Sequence, residues 1–196
     1  MKILAIAAHP DDIEIFMYGL ISIYKDRGDQ VFTIIVTDGS KGGSEETELL
    51  IKTRKSEAIN SLKTFSKPIF LNIPDGELGD DPIHKKIIRK NIFKVLPDLI
   101  ITHSKNDYHS DHRTLSLLIK GTVSHYIPIL YCDTLMGLNF QPNFYVDITN
   151  YYQVKKDAIL KHKSQNPERF VDLFELMNSY RAAQCNAPKG SYAEAY

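Results

Sequence analysis

Residues 2–12 read KILAIAAHPDD, a short apolar run followed at once by a histidine, a proline and two aspartates. The run from 2 to 8 has the length and composition of a buried strand, and a proline follows it closely. Residues 13–27 are too long for a strand and are apolar around most of a helical circumference, so they predict a buried helix. Gly28 is suited to end that helix. A buried strand that leads directly into a buried helix is typical of an α/β fold.

The rest of the chain continues this alternation of strand and helix patterns. Strands are predicted at 31–37, 69–73, 98–102, 129–132 and 143–148, and helices at 45–65, 83–96, 112–124, 150–162 and 168–185. Strands joined by helices predict a mostly parallel sheet covered on both faces, which is a three-layer Rossmann-like fold. With the common strand order 3-2-1-4-5, ligands bind beyond the carboxyl ends of strands 1 and 4. The loops after residues 8 and 102 are therefore expected to form the site.

The composition is that of one ordinary globular domain, which we expect to span residues 1–196. The 24 basic residues balance the 24 acidic ones, and this neutrality argues against nucleic acid or a membrane surface as a partner. The N-terminal apolar run, Ile3 to Ala8, is too short for a signal peptide or a membrane span, so we expect a cytoplasmic protein. Two cysteines are too few for a zinc-finger quartet or a disulfide framework, which leaves the seven histidines as candidates for metal or acid–base chemistry.

The first of the two loops, Ala8-His9-Pro10-Asp11-Asp12, carries no glycine. A dinucleotide-binding protein needs glycines here so that backbone N–H groups can approach a pyrophosphate. Two carboxylates at the start of a helix would repel a phosphate and attract a cation. The loop therefore argues against a nucleotide and for a metal ion, although an aspartate in this position also serves as a simple helix cap.

The second loop, residues 103–112, contains three histidines and two aspartates in the sequence HSKNDYHSDH. Neutral imidazole and carboxylate are standard zinc ligands, and a catalytic zinc usually has three protein ligands and one open position. His9 and Asp12, with one histidine of this loop, would supply two imidazoles and one carboxylate. Asp11 would then remain beside the metal as an acceptor for a proton of water.

The other four histidines have plainer explanations. His84 and His125 lie on or at the ends of predicted helices and are expected in solvent. His103 directly follows the fourth strand, a position that suits either a structural role or a place in the crevice. His162 lies where a helix is predicted to end, and there a cation is favoured by the helix dipole.

Two motifs together make the chain recognisable. Ala8-His9-Pro10-Asp11-Asp12-Ile13-Glu14, followed by His109-Ser110-Asp111-His112, resembles the PIG-L/LmbE-like family of zinc-dependent N-acetylsugar deacetylases. The resemblance extends over nearly the whole chain, which is similar to the compact bacterial members that act on glucosamine conjugates, including bacillithiol-pathway deacetylases. Four further segments keep the family's order: Thr37-Asp38-Gly39, Arg54 with Glu57, His162 to Gln165, and Tyr192 to Tyr196.

The resemblance implies a metal centre and a base. It implies one Zn²⁺ per chain, or another divalent metal in its place, bound by His9, Asp12 and His112. It also implies that Asp11 is the general base that takes a proton from water.

The resemblance assigns four more residues. His109 would stabilise the oxyanion and protonate the leaving amine, and Asp111 would orient His109. Arg54 would lie where family members contact the substrate. Family members often carry an Arg-Gly pair in the loop after strand 2, whereas this chain reads SKGGS at 40–44, where Lys41 would supply the cation. Since that loop helps to select the substrate, the identity of the sugar stays open.

The function expected from this resemblance is hydrolysis of the N-acetyl group of an N-acetylglucosamine-type sugar or sugar conjugate. The partner would be that small molecule, and family members often assemble as trimers or hexamers. Two alternatives remain. A metal-dependent phosphoesterase with two metals would need a second set of ligands. An inactive metal- or sugar-binding module would need neither Asp11 nor His109.

Overall fold

The structure is a computed structural model that describes residues 1–123 and 125–196. Its strands are β1 (Lys2–Ala7), β2 (Gln30–Thr37), β3 (Ile69–Ile73), β4 (Leu99–His103), β5 (Ile129–Cys132), β6 (Tyr145–Asp147) and β7 (Ala193–Ala195). Its helices are α1 (Asp12–Phe16), α2 (Tyr18–Asp26), α3 (Thr47–Ser61), α4 (Pro82–Val95), α5 (Ser110–Val123), α6 (Tyr152–Ile159) and α7 (Pro167–Gln184). Short 3₁₀ turns lie at Leu135–Gly137, Thr149–Tyr151 and Lys163–Gln165. Among the helices so described, none combines the length and the apolar character that crossing a bilayer requires.

Five strands form a fully parallel sheet in the predicted order, β3-β2-β1-β4-β5. β1 lies in the middle, with its Ile3 opposite Val31 of β2 on one side and Leu99 of β4 on the other. The helices that follow β1 pack on one face of the sheet, and the helix that follows β4 packs on the other face. The loops after β1 and β4 therefore diverge and leave a crevice at the carboxyl ends of these strands.

Alternate residues of β1 pack against opposite helical layers, because successive side chains of a strand point to opposite faces. Ile3, Ala5 and Ala7 belong to a core shared with α1, α2, α6 and α7. Leu4 and Ile6 belong to a core shared with α4 and α5. The predicted three-layer α/β architecture is confirmed.

Three details differ from the prediction or go beyond it. The predicted helix 13–27 is two helices, which are separated at Met17 with φ and ψ of −132° and −6°. The predicted strand 143–148 is the shorter β6, which pairs antiparallel with β7 in a separate two-stranded sheet. β7 was not predicted, since three residues are too few to show a period. The predicted helix 112–124 corresponds to α5, and Ser124 lies outside the described residues.

The N-terminus of α2 is capped by a side chain from β7. Glu194 accepts hydrogen bonds from the backbone N–H groups of Gly19 and Leu20, at 2.9 and 2.8 Å. These groups have no acceptor within the helix, and the local cap residue supplies none. Lys155 Nζ donates to the same carboxylate at 2.7 Å, as does the Tyr196 hydroxyl at 2.9 Å. The Lys155 and Glu194 side chains are 1 % and 2 % exposed, so this ion pair is fully buried.

Glu194→Ala should lower the free energy of unfolding by about 3–5 kcal/mol, because Lys155 would become a buried cation without a partner. Urea denaturation measures the loss. The exposed pair of Lys163 and Glu168, 3.4 Å apart, provides the control, since exposed ion pairs contribute little. Glu168→Ala should leave the urea midpoint nearly unchanged. Equal losses in the two variants would show that the buried pair does not stabilise the fold.

Candidate active site

A cavity of about 360 Å³ opens at the carboxyl ends of the central strands. The loops after β1, β2, β3 and β4 all contribute to its wall. Seven of the eight residues that the sequence predicts for the site line this cavity: His9, Asp11, Asp12, Lys41, Arg54, His109 and His112. The side chain of the eighth residue, Asp111, is buried and contacts His9, one of the seven. The cavity is therefore the crevice that the strand order predicts.

The loop after β1 aims its polar side chains into the cavity through a strained turn. Asp11 has φ of 153° and ψ of −23°, a conformation that residues other than glycine rarely adopt. The Asp11 N–H donates to the His9 carbonyl oxygen at 3.0 Å, and the His9 N–H donates to Asp12 Oδ2 at 2.7 Å. These bonds hold the strained residue in place, so that all three side chains reach the same cavity.

Three side-chain atoms form an equilateral triangle in the cavity wall. His9 Nδ1, Asp12 Oδ2 and His112 Nε2 are each 3.2 Å from the other two. Ligands of a tetrahedral zinc, at bond lengths of about 2.0–2.1 Å, lie roughly 3.3–3.4 Å apart. The residues are 8 %, 5 % and 4 % exposed, respectively. Two imidazoles and one carboxylate at this spacing fit a divalent metal ion with one position left open.

Opposite charges stabilise each other in this cluster. Burial raises the pKa of Asp12, but the neighbouring histidines, chiefly His112, outweigh burial and hold that pKa well below its ordinary value. Burial lowers the pKa of His112, but Asp12 and Asp107 outweigh it and raise that pKa to about 9. A metal ligand must be a neutral imidazole, so cation binding at this cluster would release the proton of His112.

Arg54 joins the loops after β1 and β2. Its Nη1 donates to the Gly39 carbonyl oxygen at 2.9 Å, and its Nη2 donates to the Pro10 carbonyl oxygen and to Asp11 Oδ1, both at 3.3 Å. A Cβ atom added at Gly42 would lie 2.0 Å from Nη1, so the loop approaches the guanidinium closely only because residue 42 is glycine. Arg54 thus lies in the wall of the cavity and fixes the position of the Asp11 carboxylate.

Asp111 does not have the partner that the resemblance implies. Its Oδ2 lies 3.3 Å from His9 Nε2 and accepts the Gly76 N–H at 2.9 Å. Its contact with His109 runs through the Asp111 backbone N–H, 3.3 Å from His109 Nδ1. In this structure the carboxylate therefore lies beside the ring of His9 and not beside that of His109. The reason is the start of α5, since Asp111 lies in the first turn of this helix whereas His109 precedes it, and the two side chains do not share a helix face.

His109 lies half-buried beside the triangle. Its ring centroid is 4.6 Å from that of His9 and 4.8 Å from that of His112. Burial and the positive charge of these two neighbours lower the pKa of His109. A lowered pKa makes the protonated imidazole a better proton donor.

Asp75 contacts the site although it was not among the predicted residues. Its Oδ1 lies 3.2 Å from His9 Nε2, and its Oδ2 accepts the Lys41 N–H at 3.1 Å. In the sequence, Pro74-Asp75-Gly76 indicates only a turn after β3. The signal that could have identified it is a carboxylate in the turn after β3, at the same carboxyl-terminal edge of the sheet as the two polar loops.

His103, whose role the sequence leaves open, lies directly behind His112. The two rings stack, with centroids 3.7 Å apart and planes 11° apart. His103 Nε2 accepts the Ala8 N–H at 3.1 Å. Burial and the charge of His112 lower the pKa of His103 to about 4, so this imidazole is neutral. It supports the site from within the core.

His162 is buried outside the triangle and pairs with Glu14. Its Nε2 lies 3.0 Å from Glu14 Oε1, and the Ser61 hydroxyl donates to the same oxygen. Burial lowers the pKa of His162, but Glu14 outweighs it and raises that pKa. The contact joins the segment after α6 to α1, and His162 is one partner of this buried ion pair.

Comparison with known proteins agrees with this geometry. The PIG-L family model, described as GlcNAc-PI de-N-acetylase, matches residues 4–122. The diacetylchitobiose deacetylase of Thermococcus kodakarensis is 29 % identical over 205 residues, which cover 91 % of this chain and 74 % of that protein. The uncharacterized deacetylase YaiS of Escherichia coli is 28 % identical over 174 residues, which cover 83 % of this chain and 90 % of that protein.

Solved structures share the fold. The N,N'-diacetylchitobiose deacetylase of Pyrococcus horikoshii has a TM-score of 0.84 at 26 % identity, over 99 % of this chain and 82 % of that chain. The 4-carboxy-2-hydroxymuconate hydratase GalB of Pseudomonas putida KT2440 has a TM-score of 0.86 at 19 % identity, over 99 % of this chain and 94 % of that chain, a likeness of fold alone. The family match spans more than half of the chain and includes both polar loops. The chain therefore belongs to the PIG-L family, as its motifs predict.

Proposed function

We propose that this protein hydrolyses the N-acetyl group of an N-acetylglucosamine-type sugar or sugar conjugate and releases acetate and a free amine. The observation that carries the proposal is the 3.2 Å triangle of donor atoms in a cavity that the buried Asp11 carboxylate also lines. Membership of the PIG-L family and similarity to two diacetylchitobiose deacetylases support the same chemistry. The trimeric or hexameric assembly and the cytoplasmic location stay predictions.

One divalent metal ion per chain, with Zn²⁺ as the first choice, would be held by His9 Nδ1, an Asp12 oxygen and His112 Nε2. Such an ion would polarise an amide carbonyl and make water acidic enough to lose a proton near neutral pH. The two rings are already turned with these nitrogens toward one another and toward Asp12. The chain would therefore supply these ligands without rearrangement of the loops.

Asp11 is the proposed general base. Burial raises the pKa of its carboxyl, and the Arg54 charge, 3.3 Å away, opposes that rise. The result is a carboxylate that stays in place and is more basic than one in water, which suits it to accept a proton from the attacking water. General-base help of this kind contributes typically about 10²–10⁴-fold to the rate.

His109 is the proposed acid. An amide nitrogen leaves only after it has gained a proton, and the His109 ring stands at the half-buried edge of the triangle. Its lowered pKa favours transfer of that proton to the nitrogen. The positive imidazolium would also stabilise the negative oxygen that develops before the C–N bond breaks.

Arg54 and Lys41 are the proposed substrate-binding residues. Arg54 presents a guanidinium edge in the cavity wall, and Lys41 stands at the exposed rim of the cavity. A Cβ atom at Gly76 would lie 2.9 Å from Lys41 Nζ, so the ammonium group lies directly over that glycine. Two donors on one side of the cavity suit the hydroxyl groups of a sugar.

The two-metal phosphoesterase alternative is not supported by the geometry. A second set of donors does exist on the other side of His9, formed by His9 Nε2, Asp75 and Asp111. Metals bound to opposite nitrogens of one imidazole would lie about 6 Å apart. Two-metal sites hold their ions about 3.5–4 Å apart. We interpret the two carboxylates as negative neighbours of His9 Nε2 that favour a proton on this nitrogen and so leave Nδ1 free for a metal.

Zinc-loaded protein should release acetate from at least one member of a panel of free N-acetylglucosamine, diacetylchitobiose and N-acetylglucosamine conjugates. Protein treated with EDTA should release none, and zinc readdition should restore the activity at one metal per chain. Acetate is measured by a coupled assay, and metal by elemental analysis. A protein that binds zinc yet releases no acetate from any of these substrates would contradict the proposed reaction.

Asp11→Asn should reduce turnover by at least about 10²-fold, since an amide of the same shape cannot accept the proton. Its zinc content should equal that of the wild type, because Asp11 is not one of the three ligands. The matched control is Asp80→Asn, at an exposed position outside the cavity. Near-normal turnover of Asp11→Asn would remove this residue from the role of base.

His112→Ala should lose zinc, because the triangle would keep only two of its three donors. Elemental analysis after dialysis against zinc-free buffer measures the metal per chain. His125→Ala, which changes an exposed histidine, should retain a full complement. If the His112 variant stays fully loaded, another residue is the ligand.

A further inference from the structure

His112 contacts polar groups through both of its ring nitrogens. Nε2 belongs to the triangle of donor atoms, whereas Nδ1 is 3.1 Å from Asp107 Oδ2. Asp107 is only 2 % exposed, so its carboxylate is out of water and needs a partner within the protein. No residue role assigned above accounts for this buried charge.

The second oxygen of Asp107 contacts the other histidine of the motif. Asp107 Oδ1 accepts the backbone N–H of His109 at 2.9 Å. The Asp107 backbone is fixed in turn, since its N–H donates to the Ser104 carbonyl oxygen at 3.3 Å and its carbonyl oxygen accepts from Arg113 Nη1 at 2.8 Å. One carboxylate at a fixed point of the loop therefore contacts a proposed metal ligand and the proposed acid.

We propose that Asp107 is a positioning residue that fixes the tautomer and the orientation of His112 for metal binding, an inference that rests on the function proposed above. A neutral imidazole carries a proton on only one nitrogen, and a carboxylate that faces Nδ1 keeps the proton there. Nε2 then presents its lone pair to the metal. Through its other oxygen, the same carboxylate keeps His109 at a constant distance from His112.

Asp107→Asn tests this role with little change of shape. The asparagine carbonyl oxygen still accepts the His109 N–H, and its NH₂ group then faces His112 Nδ1. Two N–H donors cannot pair, so the ring is driven to the tautomer with its proton on Nε2, where the metal would bind. The affinity for zinc, measured by competition with a chelator, should fall by about 10–100-fold. Asp80→Asn should bind zinc like the wild type.

A second readout separates positioning from mere support of the fold. Protein saturated with Co²⁺ should show a different visible spectrum in Asp107→Asn than in the wild type, because the ligand ring is turned. Weaker zinc binding with an unchanged cobalt spectrum, or unchanged zinc affinity, would overturn the proposal. If the variant does not fold, ¹⁵N NMR of the zinc-loaded wild type decides. A hydrogen-bonded Nδ1 proton on His112 is expected, and one that exchanges freely with water would overturn it.

These measurements use no substrate. A wild-type protein that binds zinc but deacetylates nothing would therefore refute the proposed function and leave the role of Asp107 to be decided by its own result. Conversely, an active enzyme whose Asp107→Asn variant binds zinc normally would refute only the positioning role. A wild-type protein that binds no zinc would overturn both.

Discussion

The rest of the site is arranged around the buried carboxylate of Asp12. A carboxylate that is out of water must be surrounded by positive or hydrogen-bonding groups. Two ring nitrogens that can carry a proton lie 3.2 Å from one of its oxygens, on His9 and His112. His9 belongs to the loop after β1 and His112 to the first turn of α5, so a single charge joins both sides of the crevice. Protons on the imidazoles can balance that charge, and a divalent cation can do the same when the rings are neutral. The buried cluster is therefore suited to exchange protons for a metal.

Arg54 supplies a second buried charge, which lies in the cavity wall beside Asp11. Arg54 lies beneath the loop after β2 and holds the strained Asp11 by its carboxylate. This loop passes so close to Arg54 that residue 42 of the SKGGS segment is a glycine. A side chain at residue 42 would collide with the guanidinium. Such glycines look like a phosphate cradle in a sequence. Here one of them makes room for the Arg54 cation beside the carboxylate of Asp11, the proposed base.

The strand order and the two polar loops could be predicted because their signals are local. Apolar runs identify the strands, and the residues at strand ends identify the crevice. The features that were not predicted depend on contacts between side chains far apart in the chain. The helix that begins after the break at Met17 is capped by the distant Glu194 side chain. Asp75 contacts the site only because β3 places it beside His9. Likewise, the direction of the Asp111 carboxylate depends on the first turn of α5, which the residue types alone do not determine.

The cap on α2 joins an early part of the chain, next to the site, to a part that is synthesised last. Gly19 and Glu194 are 175 positions apart, and the helix that receives the cap begins two residues after the helix bearing Asp12. As a chain grows from the ribosome, the first turn of α2 lacks its acceptor, and Lys155 its counter-charge, until residue 194 has emerged and β7 has paired with β6. Contacts of such separation close late, because the entropy of a long loop must be overcome first. The helix that follows the proposed ligands His9 and Asp12 is therefore among the earliest segments to be made and among the last to be completed.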